Sequence, residues 1–293
     1  MKATTLRAYA ELVRLPNLPT AAADVLAGFL FAGGQLGEFV QWIPLVVSSV
    51  LLYAGGVALN DVCDAPQDAA SRPNRPLPSG RIARSTAFRL ALLLFLAGLA
   101  IPAVVSWSSV WTALVLLAAI LLYDAVLKLT PFAPLVMGCC RALNLALGML
   151  ATDTPLGGDQ LAAMLLLAAY IACITVFARR EESAGGPWRL RLSSLVASAA
   201  VLAVMSLIPT GLPTQTLLIG AAVSLSLFIC FLGQWAAFHP VPERKQLAMK
   251  FFLSAIIALD AMIAWTGSDM RAAAAVSCLI LPTLLLSRAF RMT

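Results

Sequence analysis

Ten long apolar runs set the terms for this chain. They cover approximately residues 18–33, 43–60, 86–105, 110–125, 133–151, 161–178, 192–208, 213–238, 247–265 and 272–286. A run of about 17 to 23 apolar residues spans the hydrocarbon of a bilayer as a helix. A helix satisfies its own backbone groups there, as does a closed β-barrel. Barrels, however, show alternating segments of about 10 residues rather than solid runs. Composition agrees: 61% of the residues are hydrophobic and 12% are charged, where soluble chains carry roughly 25% charged residues. The expected fold is an all-α polytopic membrane bundle of nine to ten transmembrane helices. It forms one transmembrane domain over residues 1–293.

Lys and Arg fall in alternate joins between these runs. Lys2, Arg7 and Arg14 precede the first run, and Arg72, Arg75, Arg81, Arg84 and Arg89 follow the second. Lys128 follows the fourth, Arg179, Arg180, Arg189 and Arg191 the sixth, and Arg244, Lys245 and Lys250 the eighth. Arg288 and Arg291 follow the tenth. The joins after the first, third, fifth and seventh runs carry none. By the positive-inside rule, both termini and the joins 61–85, 126–132, 179–191 and 239–246 face the cytoplasm. A bacterial inner membrane is the expected location. Arg271 breaks the alternation and keeps a count of nine helices open. The net charge of +6 follows from orientation and anionic headgroups, so membrane lipid is an expected partner and nucleic acid is not.

The N-terminal segment carries Lys2, Arg7, Glu11 and Arg14, which interrupt any secretory h-region. Leu6, Tyr9 and Val13 share a helical face, so residues 1–16 read as an interfacial segment. Cys63, Cys139, Cys140, Cys173, Cys230 and Cys278 lie in or near apolar runs without CxxC spacing. They read as small buried hydrophobes rather than a zinc site or a disulfide framework.

The second run ends in Asn60-Asp61-Val62-Cys63-Asp64-Ala65-Pro66-Gln67-Asp68. Charge at a membrane helix is costly and usually faces a functional, watery cavity. Asp61, Asp64 and Asp68 fall at i, i+3 and i+7, on one helical face. Three acids there repel one another unless a cation sits among them, and Mg2+ shares such oxygen ligands with substrate phosphates. Pro66 is expected to end or kink the helix. The loop Ser71-Arg72-Pro73-Asn74-Arg75-Pro76-Leu77-Pro78-Ser79-Gly80-Arg81 then brings arginines beside the acids. Acids for a metal next to arginines for phosphate make a diphosphate site. A solvated helix end with topology-setting arginines is the alternative.

NDVCDAPQD followed by RPNRPLPSGR resembles the first signature of the UbiA superfamily of intramembrane prenyltransferases, with its NDxxDxxxD and RPxxSG elements. Tyr123-Asp124-Ala125-Val126-Leu127-Lys128 is similar to the tyrosine-to-lysine element that closes the fourth helix in that family. The family usually has nine helices. The resemblance implies Mg2+-dependent transfer of a prenyl group from a prenyl diphosphate to a small acceptor, often an aromatic ring or a quinone precursor. It implies a tail held in a lateral apolar groove. Asp61, Asp64 and Asp68 would be metal ligands with Asn60 assisting. Arg72, Arg75 and Lys128 would contact phosphate, and Tyr123 would donate to it. Asp61, Asp64, Tyr123 and Lys128 thus form the expected catalytic set.

The family's second acidic motif is altered. At the end of the sixth run stand Phe177-Ala178-Arg179-Arg180-Glu181-Glu182-Ser183. Adjacent residues point about 100° apart on a helix, so Glu181 and Glu182 do not easily ligate one ion. Arg179 or Arg180 would supply charge in place of a second metal, with Glu181 or Glu182 a lone ligand. Otherwise this is a solvated loop, and the protein binds isoprenoid phosphate without turnover. In the fifth run, Arg141 and Asn144 lie one turn apart and should face the bundle interior. Arg141 is expected to reach the diphosphate or to pair with Asp61 or Asp64. The run GCCRALN resembles the EboC-like branch, which implies partners from a biosynthetic cluster. Asn17 and Asp24 stand where family members line the acceptor pocket. Asp260 needs a partner on another helix, and His239 reads as an incidental loop residue. A carrier of isoprenoid or lipid phosphate is the competing function. It would favour paired broken helices in two halves, but Pro66 has no counterpart at the sixth run. A membrane scaffold is the third option.

Overall fold

The computed structural model describes residues 2–152, 154–179, 187–209, 211, 214–238 and 241–290. Every regular element among them is helical. A short α1 (Lys2–Leu12) precedes α2 (Leu18–Phe31), α3 (Phe39–Ser71), α4 (Arg84–Ala100), α5 (Trp107–Leu122) and α6 (Ala133–Met149). There follow α7 (Gly158–Arg179), α8 (Pro187–Ala203), α9 (Gln215–Phe238), α10 (Pro242–Gly267), α11 (Met270–Ser277) and α12 (Ile280–Ala289). Each apolar run becomes helix, with α11 and α12 sharing the tenth. Among the described residues, 8 stretches are long and apolar enough to cross a membrane, and Leu15–Phe31 and Ala133–Met149 are shorter apolar helices.

α3 departs from expectation. It passes through Pro66 and continues to Ser71. Proline removes the N–H that would bond the carbonyl four residues back, here that of Val62. Arg84 Nε donates to that carbonyl at 3.1 Å instead. The lost helical bond is thus replaced from the first residue of α4, and the helix carries the acidic face intact.

Two apolar cores hold the bundle. One gathers Phe29, Leu145, Tyr170 and Phe252 from α2, α6, α7 and α10. The other gathers Leu12, Leu45, Leu52 and Phe95 from α1, α3 and α4. In lipid, packing rather than hydrophobic burial drives helices together, and small residues permit the closest approach. A Cβ on Gly28 would lie 2.0 Å from the Leu145 carbonyl oxygen, and one on Gly148 2.0 Å from that of Val25. α2 and α6 therefore meet backbone to backbone. Leu93, Leu165 and Leu227 point outward with 64%, 69% and 65% exposure, as lipid-facing side chains should. α3 touches α5 and α6 lightly, and the space left between them is a cavity.

Candidate active site

The cavity of about 280 Å3 runs along one face of α3, past Ser49, Tyr53, Gly56, Val57, Asn60 and Asp64. These positions recur every three to four residues, the period of a helical stripe. At its outer mouth, Arg14, Arg72, Arg75, Tyr123, Asp124 and Lys128 also line it. Lys128 Nζ donates to Asn60 Oδ1 at 2.7 Å and to Asp64 Oδ2. Asn60 Nδ2 donates to the same Asp64 oxygen at 3.3 Å. Arg75 Nη1 donates to Asp68 Oδ2 at 2.6 Å and lies 3.6 Å from Asp61 Oδ1. Arg14 Nη2 lies 3.5 Å from that same Asp61 oxygen.

Local backbone features build this mouth. Residues Tyr123–Leu127 form a π-turn, and the Lys128 amide donates to the Tyr123 carbonyl at 2.9 Å. In an α-helix, residues five apart point about 140° apart; a π-turn brings them toward one face, and such turns are frequent at functional sites. Tyr123 and Lys128 thereby share the cavity wall. Arg14 sits between α1 and α2 with φ 47° and ψ 55°, a left-handed conformation uncommon outside glycine and costly to hold. α1 is fastened to the arginine-rich loop by Arg81 Nη1 donating to Glu11 Oε2 at 2.6 Å.

At the inner end, Ser49, Tyr53, Arg141 and Asn144 line the cavity. Arg141 does not pair with Asp61 or Asp64. Its Nη2 donates to Asp24 Oδ1 at 2.8 Å and to the Thr20 carbonyl at 3.0 Å. The reason is register: the glycine contact of α2 with α6 sets Asp24 beside Arg141. Asn144 also donates to Asp24, at 2.9 Å. Asp24 and Asn17 are buried and neither lines the cavity, which corrects their expected direct contact with substrate. Asp24 sits behind the wall, where it accepts hydrogen bonds from Arg141 and Asn144. Asp260, on α10, lies near Asp24 across helices, but both its carboxylate oxygens are buried without a hydrogen-bond partner, so the expected partner is not found among the described residues. Arg179 closes α7, while Arg180, Glu181, Glu182 and His239 lie outside the described residues.

Sequence reasoning missed Arg14, Asp124 and Tyr53 as wall residues. Asp124 was adjacent to a named residue. Tyr53 lies one heptad before Asn60 on the same helical stripe, a usable signal. Arg14 carried only its charge.

The donor set is all oxygen: Asn60, Asp61 and Asp64. Asp61 Oδ1 is buried and accepts no hydrogen bond, although two guanidinium groups stand at ion-pair distance. An orphaned carboxylate oxygen beside a second acid suits a hard cation. Among the described residues, no group of three or more His, Cys, Asp or Glu converges as a metal cage. That pattern fits an ion that takes one or two carboxylates and completes its shell with phosphate and water. Asp68, expected as a third ligand, instead holds Arg75.

The UbiA prenyltransferase family model matches residues 21–256. A digeranylgeranylglyceryl phosphate synthase of Methanopyrus kandleri is 37% identical over 148 residues, covering 49% of this chain and 54% of the relative. One from Methanothrix thermoacetophila is 34% identical over 169 residues, covering 57% and 60%. The chain thus spans a little over half the length of the relatives it matches. These relatives are archaeal, so they lend no support to a bacterial location. A UbiA homologue from Archaeoglobus fulgidus, solved with GPP and Mg2+, superposes with a TM-score of 0.68 at 12% identity, covering 92% of this chain and 99% of that one. The apo UbiA homologue of Aeropyrum pernix gives 0.64 at 20% identity, covering 84% and 97%. The structures show a shared fold, and the match over residues 21–256 makes this chain a member of the UbiA prenyltransferase family.

Proposed function

We propose that this protein transfers a prenyl group from a prenyl diphosphate to a small acceptor, with Mg2+ as its divalent ion. The observation that carries the reading is the mouth itself. Asp64 stands with Arg14, Arg72, Arg75 and Lys128 at the opening of a cavity whose walls turn apolar below them, and Asp61 is buried just behind, against Arg14 and Arg75. Asp61 and Asp64, with Asn60, would hold the ion. Bound there, Mg2+ neutralises charge that grows on a leaving diphosphate. Arg14, Arg75 and Lys128 donate to phosphate oxygens as charge-assisted hydrogen bonds, and Tyr123 adds a neutral donor. Asp68 aims Arg75. Val57, Leu116 and Ile120 keep water from the allylic carbon, so that the acceptor captures it.

The names of the relatives support a glyceryl phosphate type of acceptor ahead of an aromatic one. The GPP and Mg2+ of the Archaeoglobus homologue support the donor and the ion. The alternation of Lys and Arg supports a cytoplasmic mouth. The test uses purified protein in nanodiscs with geranyl diphosphate, Mg2+ and geranylgeranylglyceryl phosphate. Pyrophosphate release should depend on the acceptor, and Asp61→Asn or Asp64→Asn should lower it about 100-fold or more. Tight binding with no release from any acceptor of a panel, aromatic ones included, would establish the carrier reading instead.

A further inference from the structure

The cavity has a second polar end, with a chemistry unlike the mouth. Tyr53 lies two turns before Asn60 on α3, about 10 Å deeper by helix rise. Gly56, Val57 and Ile120 form an apolar waist between the two. The waist is narrow: a Cβ on Gly56 would lie 2.9 Å from Ile120 Cγ2. Below it, Asn144 is 5% exposed. Its Nδ2 donates to the Ala21 carbonyl and to Asp24 Oδ2, each at 2.9 Å. Both amide hydrogens are therefore used and the side chain is clamped. Its Oδ1 accepts no hydrogen bond from any described residue. The half-buried Tyr53 hydroxyl, on the same wall, also makes none to any described residue. Ser49 Oγ donates to the same Ala21 carbonyl at 3.1 Å, which ties the α3 wall to the Asn144 clamp.

A free donor and a free, fixed acceptor thus face one small space. Two ligand classes fit it poorly. A carboxylate or phosphate would need spare positive charge, and Asp24 already neutralises Arg141 at 2.8 Å, leaving the guanidinium only a buried Nε–H to offer as one further donor. A hydrocarbon tail would leave Tyr53 and Asn144 unpaired in a dry pocket, which disfavours it. A neutral hydroxyl satisfies both groups, since it donates and accepts at once.

We propose that the inner end is a recognition subsite for a neutral hydroxyl of the acceptor. That hydroxyl accepts a hydrogen bond from Tyr53 Oη and donates one to Asn144 Oδ1. The proposal rests on the transferase reading for its occupant, and only the occupant. Tyr53 and Asn144 are then specificity residues.

Phenol and toluene, which match in shape and differ in the hydroxyl, are the probes. Their binding to the full chain in nanodiscs, with geranyl diphosphate and Mg2+ present, is read by saturation-transfer NMR. The ratio of the two affinities, compared between variants in the same lipid, cancels partition into the bilayer. Relative to the Tyr53→Phe protein, the native protein should favour phenol by about fivefold, the value of one good neutral hydrogen bond. Tyr53→Phe should remove most of that preference, and Asn144→Leu should do the same where it folds. A phenol-to-toluene ratio that is the same in the native and Tyr53→Phe proteins overturns the proposal. So does a Tyr53→Phe protein that binds geranylgeranyl diphosphate more tightly with geranyl diphosphate unchanged, because the tail would then occupy the inner end. Failure of native protein to bind geranyl diphosphate with Mg2+ strikes the transferase reading instead, while the phenol ratio still reports on the subsite.

Discussion

Pro66 and Arg84 make a thermodynamic pair that can be taken apart. Arg84 Nε donates to the Val62 carbonyl at 3.1 Å, filling the place of the N–H that Pro66 lacks. Arg84→Ala should leave that carbonyl unpaired. Val62 is 7% exposed, but Arg84 itself is exposed, so the cost belongs at the low end, about 1 kcal/mol. A second effect has the opposite sign. Arg84 opens α4, where a positive charge opposes the helix dipole by roughly 0.3–1 kcal/mol, so its removal gives something back. A single variant therefore mixes two terms, and a double-mutant cycle separates them. In a Pro66→Ala background the new amide bonds Val62 directly, and Arg84→Ala should then be neutral or slightly stabilising. The expected coupling is about 1 kcal/mol, a shift of roughly 2 °C in the unfolding midpoint in micelles. The same cycle should appear in geranyl diphosphate affinity, because Val62 adjoins Asp61. Equal losses in both backgrounds would refute the claim that Arg84 replaces the proline's missing donor.

Two further outcomes follow from the packing. Burial works against a charged Glu11, yet hydrogen bonds from Arg81 and Arg7 hold its carboxyl below the ordinary 4.5. A carboxyl lowered in the folded state stabilises above its unfolded value and loses that stability as pH falls through the folded one. The protection factors of the α1 amides, exchange rates divided into their intrinsic values at each pH, should thus be steady above pH 4.5 and fall below it, while Glu11→Gln protein should show the lower protection already at neutral pH. Gly148→Ala places a methyl 2.0 Å from the Val25 carbonyl oxygen and should cost about 2–3 kcal/mol in reversible unfolding; an unchanged unfolding curve would mean that α2 and α6 do not meet there.

The acidic face and Lys128 were legible in the sequence because their chemistry is local. Charge at the end of an apolar run is anomalous wherever the helices go, and the helical period alone puts Asp61 and Asp64 on one side. Partners across helices were not legible. Arg141 and Asp24 are 117 residues apart, and an apolar run tells only that each needs a partner. Which partner depends on the faces that α2 and α6 turn to one another, and Gly28 and Gly148 set those faces by letting two backbones touch. The expectation that Pro66 would end the helix failed for the same reason, since α3 runs on to Ser71. The local rule is correct, but its cost is offset by a donor from a helix that the sequence cannot place beside Val62. Arg14 was hidden differently: nothing in a chain pattern announces a left-handed arginine that folds a short helix back over a cavity mouth.

The mouth also explains, by charge alone, why its acids and bases occur together. Each acid already has a cation: Arg14 stands 3.5 Å from Asp61, Arg75 stands 2.6 Å from Asp68, and Lys128 holds Asp64. A diphosphate entering by itself would add only negative charge to a balanced cluster, in a half-buried place where water screens poorly. On the proposed function it draws Arg14, Arg75 and Lys128 toward its own oxygens. Asp61, buried, and Asp64, half-buried, are then left as carboxylates without counter-charge, which is more costly than any surface ion pair is worth. They need a replacement cation of small size and oxygen preference. The orphaned Asp61 oxygen, between two guanidiniums and hydrogen-bonded to neither, is where that need shows before any ligand arrives. The same argument bears on the altered motif Arg179-Arg180-Glu181-Glu182. On the proposed function, the three cations on the first acidic face offer a diphosphate positive charge from this side of the cavity, and the transfer depends that much less on a second acidic face to hold a second ion.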